Sequence, residues 1–199
     1  SCSFFMSSET TKTQIQQRPE LDVSLLSLAC SPLLTKLYAT RGITSASELD
    51  NSTRTLIHAS QLKGIDTACE LLYQAYLKRK KIIIIGDFDA DGATSTALSV
   101  LSLRALGFQN VDYLIPNRFD YGYGLSPEIV DLAAQQSAEL LMTVDNGISS
   151  VSGVAHAKSL GIDVLVTDHH LPGDELPIAD AIVNPNQVGC DFPSKNLAG

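Results

Sequence analysis

Residues 86–92 read GDFDADG, which sets Asp87, Asp89 and Asp91 at every second position and closes them with Gly92. Three carboxylates this near one another repel unless a cation sits among them. Two further clusters stand downstream: Asp145-Asn146-Gly147 follows the run ELLMTV, and Asp168-His169-His170 follows DVLVT. Carboxylates joined by imidazole, with no thiolate, suit Mn²⁺ or Mg²⁺ and argue against structural zinc. Several converging acids favour two ions over one, because each cation offsets the repulsion among its ligands. A pair of divalent ions is a common device for hydrolysing phosphoesters.

Each cluster alone has an ordinary explanation. DxDxDG opens like the calcium loop of an EF-hand, but the twelfth position of that loop, which must be acidic, is Leu98 here. Asp145-Asn146-Gly147 alone is a turn signal, and Asp168-His169-His170 alone could be a surface loop. The weight lies in the conjunction, and the conjunction depends on the elements that deliver the clusters.

Those elements read as alternating strands and helices from Lys81 onward. Ile82 to Ile85 form a continuous β-branched run, as in a strand buried on both faces. A helical pattern from Ala93 to Leu106 stops at Gly107. Further strands are expected at Val111–Ile115, Glu139–Val144, Asp163–Thr167 and Asp180–Val183, with helices opened by Ser126-Pro127 and running from Ser149 to about Leu160. The fold class expected is α/β: a parallel, Rossmann-like sheet of about five strands with helices on both faces, preceded by a short helical segment. Sites in such sheets form beyond the carboxyl ends of the strands. Three of the first four strand ends deliver acids, and one adds two histidines, so the fold itself should bring the clusters together.

Other polar residues carry weaker signals. Arg118 follows the second strand and is a candidate phosphate clamp; a surface salt bridge is nearly as good a reading. Asn146 is the other candidate substrate contact. Tyr121-Gly122-Tyr123-Gly124 reads as a substrate loop or a plain connection, and His58 and His156 as structural. The helix N-termini after Gly92 and Gly147 point amides toward the same edge and could assist an anion.

Ahead of the sheet, residues 1–20 are polar and read as a flexible lead, with the residues before Met6 an addition to a natural start there. Residues 21–80 read as helical: Ser31-Pro32 opens a helix that Gly42 stops, Ser45 and Glu48 have capping-box spacing, and Ile65, Ala68, Leu72 and Tyr76 line another helix. The basic run Lys78 to Lys81 could touch phosphate, but cations at a helix C-terminus more simply complement its dipole.

The 199-residue chain has 44% hydrophobic residues and a formal net charge of −8. That balance argues against broad electrostatic attraction to nucleic acid or an anionic membrane, although ions in a cluster can reverse the local field. Cys2, Cys30, Cys69 and Cys190 form no CxxC pair, so reduced cytoplasmic thiols are expected rather than a disulfide framework. No apolar run reaches membrane-spanning length, and the start lacks the pattern of a signal peptide.

Asp168-His169-His170 is the signature from which the DHH phosphoesterase superfamily takes its name, and the segments around Asp87–Gly92 and Asp145–Gly147 resemble its first two motifs. Together with PNRF, GYGLSP, TVDNGIS, TDHHLPG and VNP, they resemble the bacterial single-strand-specific 5′→3′ DNA exonucleases of that superfamily. The resemblance runs from about Leu33 to Gly199 and is dense from Lys81. It implies a DHH domain over residues 81–199 and a Mn²⁺- or Mg²⁺-dependent, two-ion enzyme that releases nucleoside 5′-monophosphates from single-stranded DNA during repair and recombination. It also implies Asp89, Asp91, Asp145 and His169 as metal ligands, Asp87 as a ligand or orienting group, and His170 at the scissile phosphate or a metal. A helicase and a single-strand-binding protein are implied partners, and no membrane. Family members continue past the point matching Gly199, with a further aspartate ligand and a second domain, so the chain is expected to be an N-terminal part, weakly active or inactive alone. The alternatives are a sister phosphodiesterase of short oligonucleotides or cyclic dinucleotides, and a non-catalytic DNA-binding relative. Haloacid-dehalogenase phosphatases also resemble DxDx(T/V) after a strand, but Asp91 stands where Thr or Val is wanted.

Overall fold

The structure, a computed structural model, describes residues 28–50, 52–116 and 124–198. The chain divides into two compact units, one up to Leu56 and one from Ile57. In the first, helix α1 (Pro32–Ala39) starts as its sequence dictates, with the Leu34 N–H donating to the Ser31 side chain at 3.4 Å and Pro32 at the first position. The spacing of Ser45 and Glu48 is realised on a short 3₁₀ turn, Ala46–Leu49, where Glu48 accepts the Ser45 N–H at 3.0 Å.

The second unit is built on five parallel strands: β1 (Ile82–Ile85), β2 (Val111–Leu114), β3 (Leu140–Val144), β4 (Asp163–Thr167) and β5 (Ala181–Val183). Their order across the sheet is β2-β1-β3-β4-β5. Helices α2 (Ile65–Leu77) and α3 (Ala90–Ala105) cover one face; α4 (Pro127–Gln135) and α5 (Val151–Ser159) cover the other.

The isoleucine run shows why the sheet needs both layers. Side chains alternate along a strand. Ile82 and Ile84 pack with Ala68, Ala75, Val100 and Leu103, whereas Ile83 and Ile85 pack with Ile129, Val130, Val154 and Ala157. All four isoleucines are wholly buried. Burying one such side chain contributes roughly 1.5–3 kcal/mol, so the run anchors the sheet from its centre.

Helix α3 begins three residues earlier than its apolar pattern suggests. The reason is local: the Asp89 carboxylate accepts the Gly92 N–H at 2.9 Å and caps the first turn, which places Asp91 inside the helix. Gly92 is required there, since a Cβ would come within 2.5 Å of the Asp87 carbonyl oxygen. At the opposite edge of the sheet, Lys80 pairs with Asp163 at 2.5 Å and Lys81 with Asp112 at 3.4 Å. Those lysines brace the amino ends of β4 and β2, away from the strand ends that carry the acid clusters. Among the described residues, no helix is long and apolar enough to cross a membrane.

Candidate metal centre

Strand order reverses between β1 and β3, because the chain leaves β1 toward β2 on one side and continues from β3 toward β4 on the other. At such a switch point the connections diverge and leave a crevice at the carboxyl ends of the strands. Asp87, Asp89 and Asp91 follow β1, and Asp145 follows β3, so these acids flank that crevice. Asp168, His169 and His170 follow β4, the next strand.

Asp145 is the pivot of the site. It is 2% exposed and adopts a left-handed backbone conformation, φ 61°. Gly147, at φ 111°, completes the turn; a Cβ there would meet the Thr143 hydroxyl at 2.4 Å. The Asp145 carboxylate lies 2.9 Å from His169 Nε2, and Asp91 Oδ2 lies 3.7 Å from the same nitrogen. Burial, then the charge of Asp91, push the Asp145 carboxyl above its ordinary value; the hydrogen bond from His169 opposes them, and the charge of Asp89 adds to the rise.

The ligand-type atoms fall into two groups, each with members within 4.8 Å of one another: Asp87, Asp89 and Asp145; and Asp145, Asp168, His169 and His170. Asp145 belongs to both, so it would be within reach of an ion held by either group. The donors are carboxylate oxygens and imidazole nitrogens, which fit Mn²⁺ or Mg²⁺. A cation there would also offset the crowding that raises the Asp145 carboxyl. Asp91 stands outside both groups and enters the cluster through His169.

Asp168, absent from the ligands expected from sequence, organises the histidine loop. One oxygen accepts the Ile148 N–H at 2.9 Å; the other accepts the His169 and His170 N–H groups at 2.7 and 3.1 Å and lies 2.7 Å from His170 Nδ1. Its side chain is almost fully buried, whereas that of His170 is half-exposed. Burial works against protonation of His170, but the hydrogen bond and charge of Asp168, with the charges of Asp145 and Asp87, raise it above its ordinary value. The two imidazoles meet edge to face, with centroids 4.6 Å apart. An acidic residue bonding the backbone just ahead of it is a familiar turn device, and that signal was available in the sequence.

Asn146 lies where the crevice closes. It is 1% exposed, and its amide donates to the Ile85 carbonyl at 3.1 Å and the Val144 carbonyl at 2.9 Å. This geometry is that of a brace tying β1 to β3 beneath the acids, rather than of a surface substrate contact. Near the two helix starts expected to face an anion, the Gly92 N–H is taken by Asp89, and the Ile148 N–H, three residues ahead of α5, is taken by Asp168. Arg118 and Tyr121–Tyr123 lie outside the described residues. Of the two histidines read as structural, His156 contacts Asp131 at 2.7 Å and His58 contacts Ser60 at 2.7 Å.

Residues 81–198 match the model of the DHH family, N-terminal domain. The chain is 59% identical over 186 residues to the single-stranded-DNA-specific exonuclease RecJ of Salmonella typhimurium, covering 94% of this chain and 32% of that protein. It is equally 59% identical over 190 residues to the protein of the same name from Escherichia coli, covering 94% of this chain and 33% of the relative. The chain thus spans about a third of the length of these relatives. Among solved structures, an exonuclease RecJ bound to manganese matches with a TM-score of 0.63 at 37% identity, over 70% of this chain and 35% of that one.

Proposed function

Because the chain belongs to the DHH family, we propose that it is the metal-holding part of a 5′→3′ exonuclease that hydrolyses single-stranded DNA to nucleoside 5′-monophosphates. The observation that carries this reading is the meeting of Asp87, Asp89, Asp91, Asp145 and His169 at the switch point of the sheet. The names of the 59%-identical relatives supply the substrate class.

In this reading Asp89, Asp91, Asp145 and His169 would hold two divalent ions, Mn²⁺ or Mg²⁺. When bound, the ions supply electrophilic stabilisation of charge on the phosphate and lower the pKa of water. The chain's own residues do the rest. Asp87, held beside the Phe88 N–H at 2.7 Å, orients a ligand or water at the β1 end. His170, anchored through Nδ1 to Asp168, faces the phosphate and holds a proton there. Asn146 keeps the two strand ends at fixed separation, and Arg118 meets a substrate phosphate. The net charge of −8 makes basic surface elsewhere in a longer protein the natural grip for DNA. A helicase and a single-strand-binding protein are the partners such a substrate calls for.

The test is digestion of 5′-labelled single-stranded DNA with Mn²⁺, using this chain alone and this chain continued into its longer protein, with duplex DNA and a dinucleotide in parallel. The reading predicts labelled mononucleotide from the single strand only, and little or none from the 199 residues alone. Activity confined to the dinucleotide would assign a sister phosphodiesterase. No turnover by the longer protein, with DNA bound, would assign a non-catalytic module.

A further inference from the structure

The backbone of His169 and His170 belongs to no helix or strand, yet all four of its polar groups are held by side chains. Both N–H groups donate to Asp168, as described above. Both carbonyls are held from the other side, by two asparagines of the segment that follows β5. The Asn184 amide donates to the His170 carbonyl at 3.0 Å, and the Asn186 amide donates to the His169 carbonyl at 2.6 Å.

The two asparagines form one unit. Asn184 Oδ1 accepts the Asn186 N–H at 2.7 Å, which orients the Asn184 amide with its NH₂ toward His170. Asn184 is wholly buried. Asn186 also donates to the Lys195 carbonyl at 3.1 Å, and the Lys195 ammonium in turn donates to the carbonyls of Pro185 and Cys190 at 2.7 and 2.6 Å. Pairing of β4 with β5 delivers the unit to the right place: Thr167 is in register with Val183, and the Asp168 N–H donates to the Val183 carbonyl at 3.1 Å.

We propose that Asn184 and Asn186 are positioning residues of the metal centre. They fix the two peptide planes that aim the His169 and His170 imidazoles, and they act on the ions only through those histidines. This rests on the reading of the site as a divalent-ion centre. Groups that orient ligands in this way typically govern metal affinity by 10–100-fold. Removing a carbonyl's partner frees the loop to rotate, so the imidazole must be ordered each time a metal binds.

Asn186→Ala is the primary variant, since Asn186 is only partly buried, and Asn184→Ser is the second, keeping a small polar group at the buried position. The measurement is Mn²⁺ affinity of the folded 199-residue chain by calorimetry, beside the thermal midpoint in EDTA and the amide NMR signals of Asp168–His170. Asn186→Gln, which restores an amide donor, serves as the rescue. The expected result is at least a tenfold loss of affinity in Asn186→Ala, with amide shifts centred on the histidine loop, an EDTA midpoint within a few degrees of the parent, and partial recovery in Asn186→Gln. Unchanged affinity in folded Asn186→Ala and Asn184→Ser would overturn the proposal and leave the metal centre intact. A lowered midpoint with unchanged affinity would overturn it equally, by showing a role in folding alone. A parent chain that takes up no Mn²⁺ would remove the metal reading in this chain, and the proposal with it.

Discussion

Replacing Asp145 with asparagine should make the metal-free protein more stable while abolishing its response to Mn²⁺. Asp145 is 2% exposed, and its carboxylate lies within 4.8 Å of ligand atoms on Asp87 and Asp89. At that separation and an effective dielectric of 20, each pair of ionised carboxylates repels by about 3.5 kcal/mol. Asp89 is exposed and Asp87 half-buried, so solvent screening reduces the two pairs to a total on the order of 2 kcal/mol. Asparagine keeps an acceptor for His169 Nε2 and tolerates the left-handed backbone at this position, so little is lost in return. The weaker hydrogen bond costs up to about 1 kcal/mol, leaving a net gain of about 1 kcal/mol, or roughly 3 °C for a domain of this size. Thermal unfolding in EDTA and in excess Mn²⁺ checks this. The parent should melt lower than Asp145→Asn in EDTA and rise with Mn²⁺, whereas the variant should not move. A variant that melts below the parent in EDTA and still responds to Mn²⁺ would refute the argument, because neither acid crowding nor shared ligation would then reside at Asp145.

Gly147→Ala should lower stability by about 1–3 kcal/mol, since it combines a left-handed backbone with a Cβ overlapping the Thr143 hydroxyl; urea unfolding measures it, and it should weaken Mn²⁺ binding by displacing Asp145. Ile83→Ala, in the wholly buried centre of the sheet, should cost about 2–5 kcal/mol, read from the same urea curves, with Mn²⁺ affinity of the folded fraction unchanged. Burial disfavours the Lys158 ammonium, but the hydrogen bond and charge of Asp180, with the charge of Asp163, raise its pKa above the ordinary value. A raised folded-state pKa stabilises fully below the unfolded value and is lost as pH climbs through the folded one. The parent should therefore lose stability above about pH 10.5 more steeply than Lys158→Met, as unfolding midpoints at pH 9 and pH 11 would show.

The sheet was legible because its signal is local. Four consecutive isoleucines can be buried only between two layers, and the runs at 140–144 and 163–167 repeat that pattern. The convergence of the acids was legible for the same reason: a parallel sheet puts every strand's carboxyl end on one edge. What the spacing did not carry is strand order. That β1 lies beside β3 follows from long-range pairing, and it is this neighbour relation that turns Asn146 into a brace and brings Asp145 within reach of Asp87 and Asp89. Asp168 is not among the ligands expected from sequence; its three contacts with His169 and His170 are local, but the bond from the Ile148 N–H depends on the turn after β3 lying against the turn after β4. Asn184 and Asn186 read only as part of a VNP-containing segment, since their partners are backbone carbonyls, which every residue possesses. Helix α3 starts ahead of its apolar pattern because capping by Asp89 extends it into residues whose composition suggests a loop.

The central claim is that acids from separate strand ends and His169 form one divalent-ion centre at the switch point. Its most direct test is a crystal structure of the chain grown with Mn²⁺, with anomalous scattering recorded at the manganese edge. The account predicts anomalous density bounded by Asp89, Asp91, Asp145 and His169, with Asp145 touching every ion present. No density in that crevice at saturating Mn²⁺, or ions held elsewhere with Asp145 unligated, would contradict it.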